Sequence, residues 1–174
     1  MKQLIIIFLT VIISSNALAQ SPDILPGLWE NQIEMSSKSG QIEAALAAAK
    51  QALANMPPEM RKMTEDMMAQ RGIKMDFGNA SVQTCITKED IDNFDFGGAD
   101  DDCTQSFDKT SANTYALTVS CPDQNAEGKG EFVINSNKQY TGTSQMDLNM
   151  QGQADTITTK VTGTWLSADC GNIN

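Results

Sequence analysis

The chain contains no histidine among its 174 residues. That absence removes the Ser-His and Cys-His nucleophilic pairs and every histidine-bearing zinc site. Aromatic residues are scarce at 6%, and basic residues number only 12 against 22 acidic ones. A surface so short of positive charge repels phosphate backbones, so a nucleic-acid partner is not expected. After the first twenty residues no apolar run approaches the roughly 20 residues that a membrane-spanning helix needs. What remains for catalysis is carboxylates, lysines and hydroxyls. An acidic chain always holds carboxylate pairs, so their presence says nothing about hydrolytic chemistry. The expectation is a protein that is not an enzyme and needs no cofactor.

The opening "MKQLIIIFLTVIISSNALAQ" has a charged Lys2, an apolar run from Leu4 to Ile13 and the small-residue pattern Ala17-x-Ala19. These are the parts of a secretory signal peptide over residues 1–19, cut after Ala19. No cysteine follows the run, which argues against a lipoprotein. The expected mature chain is residues 20–174, a single soluble domain in the periplasm or outside the cell. Without Lys2 its net charge is −11.

Four cysteines, Cys85, Cys103, Cys121 and Cys170, enter an oxidising compartment and are expected to pair. Lys109 to Asn113 is a turn cluster between two strand-like runs, and the midpoint of positions 103 and 121 falls inside it. The two cysteines therefore face each other across a hairpin. The expected bonds are Cys103–Cys121 and, by remainder, Cys85–Cys170.

Period-2 alternation dominates the chain. "QYTGTSQMDLNM" sets Tyr140, Gly142, Ser144, Met146, Leu148 and Met150 against a polar face, and "TITTKVTGTWL" repeats the pattern with Ile157, Val161 and Trp165. Such segments are antiparallel strands with one wet face. Seven strands are expected near 28–36, 80–87, 103–108, 114–121, 128–135, 139–150 and 155–166. The fold class is α+β and mostly β: an antiparallel meander sheet or partly closed barrel.

A helical block interrupts the strands over residues 40–72. Ile42, Leu46, Ala49, Leu53, Met56, Met60, Met63 and Met67 repeat at alternating steps of four and three, a continuous apolar stripe. Pro57-Pro58 divides the block into two helices, about 40–55 and 57–71, and Gly72 stops the second. The insertion follows the first strand. Five methionines fall between Met56 and Met68. On the stripe, Met56, Met60, Met63 and Met67 span roughly a 60° arc; Met68 lies about 100° from Met67.

These methionines admit three roles. Core packing against a twisted sheet is the first. An adaptable surface for a hydrophobic ligand or partner is the second. Capture of Cu(I) by thioethers is the third. The acidic loop holding Asp92, Asp95, Asp100, Asp101 and Asp102 lacks EF-hand spacing and reads as solvated, so no metal site is assigned there. Trp29, Tyr140, Met146 and Trp165 are candidate inward walls of an apolar container.

Several motifs resemble a known family. "LPGLWE" after a leader, "QTCIT" followed by "KED", "DDDCTQSF", "GKGEF", "YTGTSQM" and "TGTWLSADCG" are similar to the bacterial secreted proteins of domain-of-unknown-function family 3617. The likeness covers about Leu25 to Gly171, and the helical block looks like that of one branch of the family. It implies a periplasmic or secreted, β-rich protein and brings no catalytic residues. The functional expectation is a non-enzymatic domain that binds a hydrophobic ligand or an envelope partner. Periplasmic Cu(I) binding through the methionine-rich helix is the alternative.

Overall fold

The computed structural model describes residues 21–70, 72–75, 80–96, 103–150 and 153–173. The expected signal peptide and the loop residues Asp100 to Asp102 lie outside the described residues. The elements run β1 (Gly27–Ser37), α1 (Gln41–Ala54), α2 (Pro58–Gln70), β2 (Ile73–Met75), β3 (Ala80–Ile86), α3 (Lys88–Asn93), β4 (Thr104–Lys109), β5 (Thr114–Cys121), β6 (Ala126–Ser136), β7 (Gln139–Met150) and β8 (Gln153–Ser167). The seven expected strands are all present. The additional β2 is a three-residue edge.

All eight strands join one antiparallel sheet in the order β2-β3-β1-β8-β7-β6-β5-β4. From β4 to β8 it is a meander. β1 lies between β3 and β8 and ties the start of the domain to its end. The sheet is open: β2 and β4 stand at opposite edges.

Register brings the large apolar side chains to one face. Trp29 pairs with Trp165, Gly163 with Tyr140, Ile134 with Tyr140 and Tyr115 with Phe132. Because side chains alternate along strands, these residues share a side. They form a core with Ile24, Ile86 and Ile91, flanked by Phe94, Phe96 and Phe107. Phe94 stacks on Phe107 with centroids 5.4 Å apart, and Phe96 stacks on Phe132 at 5.5 Å. The lid on this aromatic floor is therefore α3 and the chain after it.

A capping box starts α3. The Thr87 hydroxyl accepts from the Asp90 amide, and the Asp90 carboxylate accepts from the Thr87 amide. Phe94 closes the helix in a left-handed conformation at φ 56. The "KED" segment was legible as a motif, but its helix was not expected.

Both disulfides form as expected, Cys85–Cys170 and Cys103–Cys121, with Cα atoms 5.5 and 4.3 Å apart. No cysteine is free. The second bond sits at the mouth of the β4–β5 hairpin, next to the Thr104–Ser120 pair.

The helix pair forms where the stripe and prolines place it. α1 stops one residue before Asn55, and α2 opens on Pro58, where a missing N–H costs nothing. Gly72 ends the block at φ +72, and its amide donates to the Ala69 carbonyl at 3.0 Å. Its packing departs from the core reading. Neither α1 nor α2 buries a single residue. The periodicity reported a helix with an apolar side but not what that side meets. The cover over the aromatic floor is supplied by α3, Phe94 and Phe96 instead.

Candidate functional site

The candidate site is the helical arm, α1 with α2, and the end of the sheet from which it rises. The arm is fixed at its root by a polar cluster. The Ser37 amide and hydroxyl donate to the Glu43 carboxylate at 3.1–3.2 Å. Ser37 Oγ also accepts from the Ile42 amide at 3.1 Å. The Ser39 hydroxyl and amide donate to Asp155 at 2.6 and 3.1 Å, and the Thr156 amide adds a third bond at 2.8 Å. Gly40, at φ 76, makes the turn between the two halves of the cluster.

These bonds hold both carboxyls below their ordinary values. For Asp155 the Ser39 hydroxyl is the main cause. For Glu43 it is the amides, its own first and then that of Ser37, while the nearby Asp155 charge works in the opposite direction. Two adjacent carboxylates resemble an acid–base pair. Each is occupied by serine and backbone donors, so their geometry is that of a latch. Sequence reasoning missed this cluster. Its only local signal is the "SSKSGQIE" run, because Asp155 comes from 116 residues away.

Above the root, the methionine stripe faces outward. Met60, Met63 and Met67 are 55%, 61% and 53% exposed. Met56 is half-buried. The α2 side chains turned partly inward are Thr64 and Met68, off the expected stripe. Along α1, Ile42 and Leu53 are half-buried and Leu46 is exposed. The adjoining end of the sheet is also incompletely covered. Ile33, Met146, Leu148 and Ile157 are half-buried and Met35 is exposed. Register puts this patch at the arm's root: Ser37 pairs with Ile157, and Ile157 with Met146.

The other expected wall residues lie apart from that patch. Trp29 is fully buried, and its Nε1 donates to the Leu25 carbonyl at 2.9 Å. Tyr140 packs against it at a tilt, with centroids 5.1 Å apart, and donates its hydroxyl to Asn31. Burial raises the Tyr140 pKa well above the ordinary phenol value. Trp165 is half-buried, donates to the Pro26 carbonyl at 3.1 Å, and carries the Lys138 ammonium 4.6 Å from its ring centre. Trp29 and Tyr140 are thus core residues satisfied within the protein. Met146 alone of the four walls borders the open patch.

A separate cleft of about 550 Å³ lies at the β4–β5 turn, floored by Tyr115 and Ile134 and rimmed by Asp23, Lys109, Asn113 and Asn137. Its rim is polar, unlike the expected apolar container. In the acidic segment, Asp92 is bound by Lys88 at 2.8 Å, whose hydrogen bond holds its pKa down. Among the described residues no three histidine, cysteine, aspartate or glutamate side chains gather to hold a metal ion. Among them, too, no helix is long and apolar enough to cross a membrane.

No solved structure matches the chain. A protein of Pseudomonas putida, known as an uncharacterized protein in the lpd-3 5' region, is 30% identical over 129 residues, covering 73% of this chain and 88% of that protein. The family described as "Protein of unknown function (DUF3617)" matches residues 24–170, which include all eight strands, the arm and both disulfides. The chain belongs to the DUF3617 family.

Proposed function

We propose that this protein is a non-catalytic binding domain of the periplasm or extracellular space, and that its methionine-lined arm takes up a hydrophobic ligand or an apolar segment of an envelope protein. The carrying observation is the exposure of Met60, Met63 and Met67 on helices in which no residue is fully buried. Exposed apolar stripes of this kind mark interaction surfaces. Methionine suits a surface that must adapt to its guest, being unbranched and polarizable. The half-covered patch of Ile33, Met35, Met146, Leu148 and Ile157 supplies a second apolar wall at the arm's root. Two disulfides are consistent with an extracytoplasmic protein. The lack of histidine supports a role without catalysis.

The test is extraction of the protein from native envelopes, followed by mass spectrometry of co-purified lipid and by a Met60→Glu/Met63→Glu/Met67→Glu variant. Recovery of an apolar small molecule with the native chain and its loss from the variant is expected. Equal recovery with both would refute the reading.

A second reading is Cu(I) binding. Its support is that three thioethers at i, i+3 and i+7 stand free of the core, open to a soft ion. Titration of Cu(I) against a competing chelator decides it. A site no tighter than micromolar would dismiss it.

A further inference from the structure

Buried methionine needs no explanation beyond packing, but Met60, Met63 and Met67 are not buried. Leucine has similar helix propensity and would also keep the stripe apolar, though less adaptable. What further distinguishes methionine there is its sulfur. We propose that Met60, Met63 and Met67 form a reversible oxidation site, reactive toward peroxide and hypohalous oxidants, whose state decides whether the arm is apolar. The part about the arm's apolar state rests on the function proposed above.

The chemistry is an oxygen-atom transfer. A thioether lone pair attacks one peroxide oxygen, the O–O bond breaks, and water leaves after proton transfer. Sulfur is oxidised by two electrons and the peroxide is reduced by two. A thiol-dependent reductase reverses the step, supplying two electrons and two protons and releasing the oxygen as water. Sulfoxide replaces an apolar side chain with a polar one.

Position makes the site selective. Met60, Met63 and Met67 lie on one helix and are each more than half exposed, above the 42% of Met35 on β1, while Met56, Met68 and Met146 are half-buried. The spacing i, i+3, i+7 puts all three products on one face. Oxidation therefore converts the whole α2 portion of the stripe together. It leaves the backbone bonds of α2 in place, along with the Arg61–Glu65 ion pair on the exposed surface. No cysteine competes for oxidant, since all four are in disulfides.

The experiment treats the intact oxidised-disulfide protein with graded hydrogen peroxide. Peptide mass spectrometry follows each methionine, and an apolar fluorescent dye reports the surface. Met60, Met63 and Met67 should gain oxygen severalfold faster than Met68 and Met146, following their greater exposure. Dye binding should fall in step and return after methionine sulfoxide reductase treatment. A Met60→Leu/Met63→Leu/Met67→Leu variant should bind dye equally before and after peroxide. Equal rates at exposed and half-buried methionines would overturn the oxidation site. Selective oxidation with dye binding unchanged would overturn its control of the arm. Absence of dye binding by the untreated native chain, with the rates still selective, would refute the apolar-surface function instead and leave the reactive site standing.

Discussion

Gly163→Ala tests the core at its tightest point. Gly163 lies directly opposite Tyr140 on the neighbouring strand, and the Tyr140 ring covers it. A Cβ added there would stand 2.6 Å from Cε2 and closer still to Cζ and Cε1. The ring has nowhere to retreat. It is packed against Trp29 at 5.1 Å and Phe132 at 4.7 Å between centroids, and its hydroxyl is bound to the buried Asn31. A glycine-to-alanine change inside a strand ordinarily stabilises by roughly 0.5–1 kcal/mol. Here overpacking costs about 1–3 kcal/mol, and a displaced Tyr140–Asn31 bond adds about 1–3 kcal/mol. The expected net loss is about 3 kcal/mol, a Tm lowered by roughly 6–12 °C for a chain of this size. Denaturant unfolding of the disulfide-intact protein measures it, with an unchanged m-value. In a Tyr140→Ala background the same substitution should be nearly neutral, a coupling of about 2–3 kcal/mol between the two sites. A Gly163→Ala variant as stable as the native chain, or strict additivity in the double variant, would refute the packing account.

Replacing Cys85 and Cys170 by alanine opens a loop closed over a separation of 85 residues, and replacing Cys103 and Cys121 one of 18. Chain-entropy reasoning gives losses of about 4.5 and about 3 kcal/mol; a larger loss for the shorter loop in denaturant titration would contradict it. Thr87→Ala removes the cap of α3 and should lower stability by about 1 kcal/mol. It should also loosen the Phe94 and Phe96 cover, read as faster amide exchange in β4 and β5. The arm's root should respond to acid alone. Asp155 and Glu43 have folded pKa values below their ordinary 3.8 and 4.5, so their contribution is complete above those values and lost as pH falls through the folded ones. Amide exchange at Ser39 and Thr156 should track intrinsic rates from pH 5 to 8 and show lost protection only below about pH 4. Asp155→Asn should show severalfold faster exchange there already at neutral pH; unchanged exchange would mean that the carboxylate does not hold the arm.

The strands, the disulfide partners and the helix boundaries were legible because each leaves a local mark. Alternation marks β7 and β8, the turn centred near position 112 sets Cys103 against Cys121, and Pro57-Pro58 with Gly72 frames the helices. What was not legible depends on distant contacts or very short elements. β2 has three residues, too few for a period to register. α3 has six and sits in an acidic segment whose charges outweighed the Thr87–Asp90 box. Phe94 and Phe96 looked like loop residues because nothing local says that they cover Phe107 and Phe132. The exposure of the methionines escaped for the same reason: a stripe of period 3.5–3.6 records a helix with a side, and burial is decided by another part of the chain.

That exposure sets a demand on the arm itself. Helices of 14 and 13 residues are marginal in water without tertiary support. Leaving Met60, Met63 and Met67 outside forgoes the roughly 1.5–3 kcal/mol that full burial of each would contribute. The arm is instead secured at its two ends. Ser37, Ser39 and Asp155 hold the start, and the Gln83 amide bound to the Gly72 carbonyl at 2.8 Å holds the finish. Elements pinned at the ends, with only half-buried side chains such as Leu53, Met56, Thr64 and Met68 between them, open at low free energy. Amides in the middle of α1 and α2 should therefore exchange at least about a hundredfold faster than those of the central strands β7 and β8, and they should slow when an apolar guest covers the stripe. Hydrogen-exchange mass spectrometry on the free and dye-bound protein reads both. Arm amides as protected as β8 in the free protein would mean that the helices are supported along their length and that the stripe is not a surface awaiting a guest.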